Sequence, residues 1–551
     1  MAAAACASPA DKNGTGTVNM ADADSAAQAI SAAGLLQHIK DLSDDSMQGR
    51  APGTPGEEKA TRYLESQFRS LGLKPGNPDG TFIQKVDLVG YLSHPTASFT
   101  ANGKTVSLKY PDDFIANSRH ERPETKIDNS DIVFVGYGIV APEYGWDDYK
   151  GVDVKGKTIL MLVNDPQVRV PNDSALDTTM FKGKAMTYYG RWTYKYEIAT
   201  DKGAAAAIII HETGPAGYPY SVVSSSNSQE QFDVVSPDAD KRVPVEGWIT
   251  LPKAKELLGD AKLNFDSLKA AATRKDFKPV VLQGAKANFD VKIDHRRIQS
   301  KNVVAKLEGG DKKDEYVIYT AHWDHLGIGP KVNGDSIYNG AVDNASGVST
   351  LLAVARAAAG APRMRRSLVF VFVTAEEAGL LGSSWFAQHP TMPDSDIVAD
   401  LNMDVVTVLG TVRDLNVLGS DKSTLGSMLA HLIAPNGMRI DPDAHPEAGH
   451  FYRSDHFSFA KAGIPAVSIG AGTDYVGRPK GWGVQQEDDY TAHRYHQPAD
   501  NYSPDFDLRG AAQIGDIVLR FTTALANSPV LPAWNPTSEF KSARGRSEKI
   551  S

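Results

Sequence analysis

The 551-residue sequence contains a single cysteine, Cys6. One thiol excludes an intrachain disulfide and every zinc site built from cysteines. Long hydrophobic runs are also missing, since no stretch approaches the ~20 consecutive apolar residues of a membrane span. Positive charge is in short supply, with 58 Lys and Arg against 67 Asp and Glu and a net charge of −9. That balance argues against nucleic acid or an anionic membrane as the main partner, and basic runs such as Arg363–Arg366 are short. Low-complexity tracts and internal repeats are absent. What remains is a globular composition on a chain too long for one ordinary core, so two or more domains are expected.

The opening MAAAACASPADKNGTG places Cys6 in an Ala/Ser/Asn/Gly-rich stretch. It resembles the lipid-attachment end of a bacterial lipoprotein whose signal peptide has been trimmed, and the alternative is an alanine-rich tail. The expectation is a lipid anchor at Cys6 and a location in the cell envelope, or secretion. Residues 1–30 read as a flexible tail. Over 31–73 the pattern is helical, with Ala60, Tyr63, Leu64, Phe68 and Leu71 on one face, Pro55 suited to a first turn and Gly72 to an end. Residues 31–130 are expected to form the first part of the principal domain. Over 131–285 short apolar strands (DIVFVGYGIV, KTILMLVND, AAAAIIIHE, KRVPVEGWIT) alternate with Gly-, Ser- and Tyr-rich segments. Those segments read as loops at 188–196 and 214–228, and the whole as a strand-rich module. Residues 286–530 alternate strands with helices at 345–359, 424–434 and 508–525, and 531–551 form a second tail. Buried strands with amphipathic helices between them predict an α/β sheet covered on both faces, with ligands held by loops beyond the strand ends.

The chemistry-bearing residues fall at those ends. His322 and Asp324 stand in AHWDH, Asp343 in NGAVDNASG, Glu376 and Glu377 in VTAEEAGLLGS, Asp404 in LNMD and His496 in YHQPADNY. Two imidazoles plus three or four carboxylates suit a pair of hydrolytic zinc ions, with one Asp bridging and one Glu left as a base. The spacing of His322 and Asp324 suggests a carboxylate holding the other ring nitrogen of a ligand histidine. Asp343 read alone is as well explained as a helix cap. Glu376 and Glu377 read alone could be solvated, whereas Asp404 lies in an apolar run where an unpaired charge is costly.

Six motifs in order (AHWDH, GAVDNASG, AEEAGLLGS, NMD, SDHFSFAKAGIPA and YHQPADNY), with QGRAPGTPGEEKATRYL upstream, resemble the M28-type zinc aminopeptidases and carboxypeptidases. The resemblance is to the larger subgroup that carries a protease-associated insert. It implies a three-layer α/β/α zinc-exopeptidase domain with a mixed, mainly parallel sheet, and makes 131–285 the insert. It also implies two zinc ions. His322 and Asp404 would hold one, Glu377 and His496 the other, with Asp343 between them. Asp324 would orient His322, Glu376 would be the general base, and Tyr495 or Tyr452 would donate to the oxyanion. Peptides with a free amino terminus are the expected substrates. The rivals are a carboxypeptidase or dipeptidase clamping a carboxylate with Arg453 and Arg478, a hydrolase of non-peptide amides, and a binding protein that kept the fold. Aromatics of the 470–493 loop and of 188–196 are candidate pocket residues.

Overall fold

The longest strand of the chain, Val280–Leu307, explains how the two expected modules fit together. In the computed structural model, which describes residues 20–536, 538, 540 and 541, it belongs to two half-sheets at once. Ile83–Ala101 runs antiparallel to it, from Ile83 opposite Val303 to Ala101 opposite Ala285. Its C-terminal end pairs with Arg366–Val373 and its N-terminal end with Glu124–Phe134. Cys6 and the expected lipid attachment lie outside the described residues.

Beyond Arg366–Val373 the sheet continues through Lys312–His322, Ile397–Asn402, Ala466–Ala471, Asp414–Leu418 and Arg439–Asp441. The pairings from Arg366–Val373 to Ala466–Ala471 are parallel, and Asp414–Leu418 joins antiparallel. Arg366–Val373 is buried throughout, because both of its faces are covered. Leu368, Phe370 and Phe372 face the core formed with helices Gly347–Gly360 and Arg509–Asn527, while Val369, Val371 and Val373 face Phe386 and Phe459 on the other side. Alternation with a period of two thus sends one strand into two layers, and the domain is the expected three-layer α/β/α sandwich with a mixed, mainly parallel sheet.

In the second lobe Glu124–Phe134, Thr158–Leu162, Ala206–His211 and Val245–Thr250 run parallel, with Phe114–Asn117 antiparallel at the edge. Its core extends from Val89 to Ile293 and so draws on Phe99, Phe114 and Ile115, which precede position 131. The segments expected to be loops contain helices instead, Trp192–Asp201 and Tyr220–Asn227. Tyr194, Tyr196 and Ile198 of the first pack into the lobe's core, so aromatic residues that resemble loop decoration serve as a buried helix face.

Thr54 caps helix Pro55–Ser70 through a hydrogen bond from Glu57 N, and Gly72 follows it at φ +73°. The expected tails are partly ordered. Met20–Ala27 is a helix, with Asp24 paired to Arg520. Trp534 and Phe540 pack with Phe451 and Phe457. Among the described residues no helix is long and apolar enough to cross a membrane.

Candidate metal centre

The C-terminal ends of the parallel strands deliver the acids and imidazoles to one place. His322 closes the strand Lys312–His322, Glu376 and Glu377 follow Arg366–Val373, and Asp404 follows Ile397–Asn402. Asp343 lies ahead of helix Gly347–Gly360, and His496 comes just after helix Trp482–His493. His322 Nε2 is 3.3 Å from Asp343 Oδ1 and 3.3 Å from Asp404 Oδ1, with Glu376 Oε2 at 3.9 Å. His496 Nε2 is 2.8 Å from Glu377 Oε2 and 3.4 Å from Asp343 Oδ2. The two oxygens of Asp343 therefore face two different imidazoles. All five residues expected as metal ligands converge, together with Glu376.

Three residues beside this cluster hold left-handed backbone: Ala375 at φ +53°, Val405 at φ +55° and His496 at φ +57°. For residues other than glycine such conformations cost about 1–3 kcal/mol each and persist where the surroundings over-determine them. Here each one turns a functional side chain off the end of a strand or helix.

The supporting residues are only partly those anticipated. His322 Nδ1 is 3.1 Å from the Asp324 carbonyl oxygen, while the Asp324 carboxylate stands 3.8 Å away. The backbone of Asp324, rather than its side chain, is thus the nearer acceptor for His322. The carboxylate instead accepts a hydrogen bond of 3.2 Å from Glu376 N. His325, the second histidine of AHWDH, is not among the residues expected from the sequence. It is fully buried with Nδ1 2.5 Å from Glu377 Oε1, which leaves Glu377 Oε2 to His496. Asp500, within YHQPADNY, accepts hydrogen bonds from Val342 N and Asp343 N, both at 2.9 Å, and from the Tyr490 hydroxyl at 3.1 Å. Arg50, within QGRAPG, is fully buried and donates to the carbonyls of Trp323, Leu42, Asn339 and Gly340. It ties the loop after His322 to the loop before Asp343. The signal for these residues was their presence inside recognised motifs. Spacing alone carries no trace of their contacts.

So many acids in one buried volume perturb one another. Burial opposes charge on His322, yet Glu376 and Asp404 outweigh it and hold its pKa well above the usual imidazole value. His496 is likewise pushed up to about 10, burial being overcome by Glu377 and Asp343. Glu376 moves well above the carboxylate range because it is buried among Asp404, Asp455 and Glu377. Glu377 falls to about 2, since His496 and His325 outweigh its burial and the charge of Asp343. Several of these buried atoms (His496 Nε2, Glu377 Oε1, Asp324 Oδ2) have no well-formed hydrogen bond among the described residues. Imidazole nitrogens and carboxylate oxygens facing one another in a buried volume suit divalent cations, and the donor set is of the zinc type. Three groups, His322 with Asp343 and Asp404, His322 with Glu376 and Glu377, and His325 with Asp343 and Glu377, each offer ligand atoms within 4.8 Å of one another.

The two tyrosines part company. Tyr495 stacks on His496 with ring centroids 3.9 Å apart. Burial and the nearby Asp343, Glu377 and Glu376 keep its pKa well above the ordinary phenol value, so it remains a donor. Tyr452 packs among Phe451, Phe457 and Tyr188. Arg453 lies beside Tyr495 and over the Tyr218 ring at 5.0 Å, whereas Arg478 lies over Trp482 at 4.6 Å. The 470–493 segment expected as a loop contains helix Trp482–His493. Two of its aromatics are structural: the Tyr475 hydroxyl bonds Thr407 at 2.7 Å, and Tyr490 supports Asp500.

Residues 302–522 match the model of peptidase family M28. Aminopeptidase NAALADL1 of Mus musculus is 34% identical over 129 residues, 22% of this chain and 16% of that protein. A probable zinc metalloprotease of Pyrenophora teres f. teres is 26% identical over 259 residues, 42% and 49% of the two chains. The probable leucine aminopeptidase 2 of Aspergillus oryzae is 28% identical over 212 residues, 36% and 40%. The matched stretches thus span less than half the length of these curated relatives. The solved aminopeptidase from Aneurinibacillus sp. strain AM-1 shares the fold over 94% of this chain and 98% of its own, with a TM-score of 0.54 and 19% identity. By its motifs, its three-layer domain and this match, the segment 302–522 is similar to peptidase family M28.

Proposed function

We propose that the protein is a di-zinc aminopeptidase that hydrolyses the N-terminal bond of peptides. The observation that carries this is the placement of Asp343, whose two oxygens face His322 and His496 separately. His322 and Asp404 would hold one zinc, Glu377 and His496 the other, and Asp343 would bridge. When bound, the pair supplies a water of lowered pKa and polarises the scissile carbonyl. Glu376, buried and left out of the proposed ligand set, would be the group that takes a proton from such a water and returns it to the leaving amine. Tyr495 donates to the oxyanion, supported by its stacking on His496 and its place among the acids. Asp324 positions Glu376 through the backbone, and His325 holds one oxygen of Glu377. The strand-rich lobe would be the protease-associated insert.

One observation favours a second reading. Arg191 of the second lobe is buried, its Nε has no hydrogen-bond partner among the described residues, and its strongest electrostatic neighbours are Arg453 and tyrosines. Two buried guanidiniums beside Tyr495, with Glu376 acting on Arg453 alone, would suit a substrate carboxylate, as a carboxypeptidase or dipeptidase requires. A peptide panel, free or acetylated at the N-terminus and free or amidated at the C-terminus, separates the readings by mass spectrometry. Shortening only from free N-termini supports the aminopeptidase. Loss from free C-termini regardless of acetylation supports the rival, and no cleavage by zinc-loaded protein refutes both.

A further inference from the structure

Besides the loops of its own domain, the second lobe touches the metal centre. Ser226, in helix Tyr220–Asn227, has its Oγ 3.0 Å from His496 Nδ1 across 270 positions of sequence. The serine is itself held, its carbonyl accepting from Gln231 Nε2 at 2.6 Å. The lobe that carries it is docked at several points. Met186 N donates to Pro446 O at 2.9 Å, and Asn164 Nδ2 to Glu447 O at 2.8 Å. The Tyr188 ring lies 5.4 Å from that of Phe457.

The imidazole of His496 is thereby fixed on three sides. Tyr495 covers one face, Ser226 meets Nδ1, and Nε2 points to Glu377 and Asp343. A histidine that binds a cation through Nε2 must be neutral and carry its proton on Nδ1, and the partner of that N–H sets both tautomer and ring direction. We propose that Ser226 is a positioning residue for His496, accepting its Nδ1 proton, so that one of the two metal positions is complete only with the second lobe docked. This rests on the two-zinc reading above.

Stepwise zinc affinities of wild type, Ser226→Ala and Ser226→Thr, measured by competition with a chromogenic chelator, test it. Thermal melting of each zinc-free variant reports whether the fold survives. Ser226→Ala should weaken one zinc equivalent by about 10–100-fold, the range for losing such a partner, while the other keeps its wild-type affinity. Ser226→Thr, which retains the hydroxyl, should restore it. Two unchanged affinities in Ser226→Ala, or both weakened equally, would overturn the assignment and leave the two-zinc reading standing. A wild type that takes up fewer than two zinc ions would refute that reading and this inference with it.

Discussion

Replacing Arg50 by methionine should cost about 3–5 kcal/mol of stability, the range for breaking a buried ionic network at one partner. The guanidinium donates at 2.8 Å to Trp323 O, 2.5 Å to Leu42 O, 2.6 Å to Asn339 O and 3.0 Å to Gly340 O. Charge-assisted hydrogen bonds contribute about 1.5–3 kcal/mol each, so four set a ceiling of roughly twice the expected loss. The shortfall arises because methionine refills much of the volume and the freed carbonyls regain partial hydration. Burial pushes the Arg50 pKa down to about 10, against the pull of Asp324, Asp500, Asp343 and Glu377. It therefore stays charged at neutral pH and offsets those acids. The loss should be larger in zinc-free protein, where only the nearby imidazoles share in neutralising them. Urea denaturation of both variants, with and without zinc, gives the difference from midpoint and slope. A loss below about 1 kcal/mol would refute the view that Arg50 staples the two metal-bearing loops.

Further expectations concern the centre and the second lobe. Glu376→Gln should keep its zinc and fold yet lose about 10²–10⁴ in turnover, the range for a general base, and near-wild-type steady-state rates would remove that role. Asp404→Asn and His496→Ala should each lower zinc content, and elemental analysis finding both variants fully loaded would break the ligand assignment. Asp148, buried while accepting from Ile139 N at 3.0 Å and Trp146 Nε1 at 2.8 Å, is raised by burial from 3.8 to about 7. The folded state then holds a proton that the unfolded chain has lost, so stability falls as pH rises from about 4 to about 7. Asp148→Asn should flatten that slope in melting temperature, and an unaltered slope would assign the pH dependence elsewhere.

Much of the principal domain was legible because its strands are continuous apolar runs whose ends carry unusual acids. His322, Glu376, Glu377 and Asp404 each mark the end or flank of such a run, whereas Asp343 and His496 adjoin helices and were legible through their motifs. Helix Trp482–His493 was missed for the opposite reason: Gly483 is its one buried residue, so no apolar stripe announces it. Val280–Leu307 does not show in the sequence as one strand, since exposed charges at Asp294, Arg296 and Arg297 interrupt its pattern. The contacts of Arg50 with Trp323 and of Ser226 with His496 span 273 and 270 positions. No local periodicity encodes such pairs. The role of Asp324 is only partly legible, because a His-x-Asp spacing cannot distinguish a carboxylate acceptor from the carbonyl of the same residue.

The most direct test of the account is to titrate zinc into metal-free protein and follow bound metal and peptide hydrolysis in the same sample. The account predicts two zinc ions per chain at full activity and little turnover until the second is bound. Full activity with no zinc, or saturation at a single ion, would contradict it.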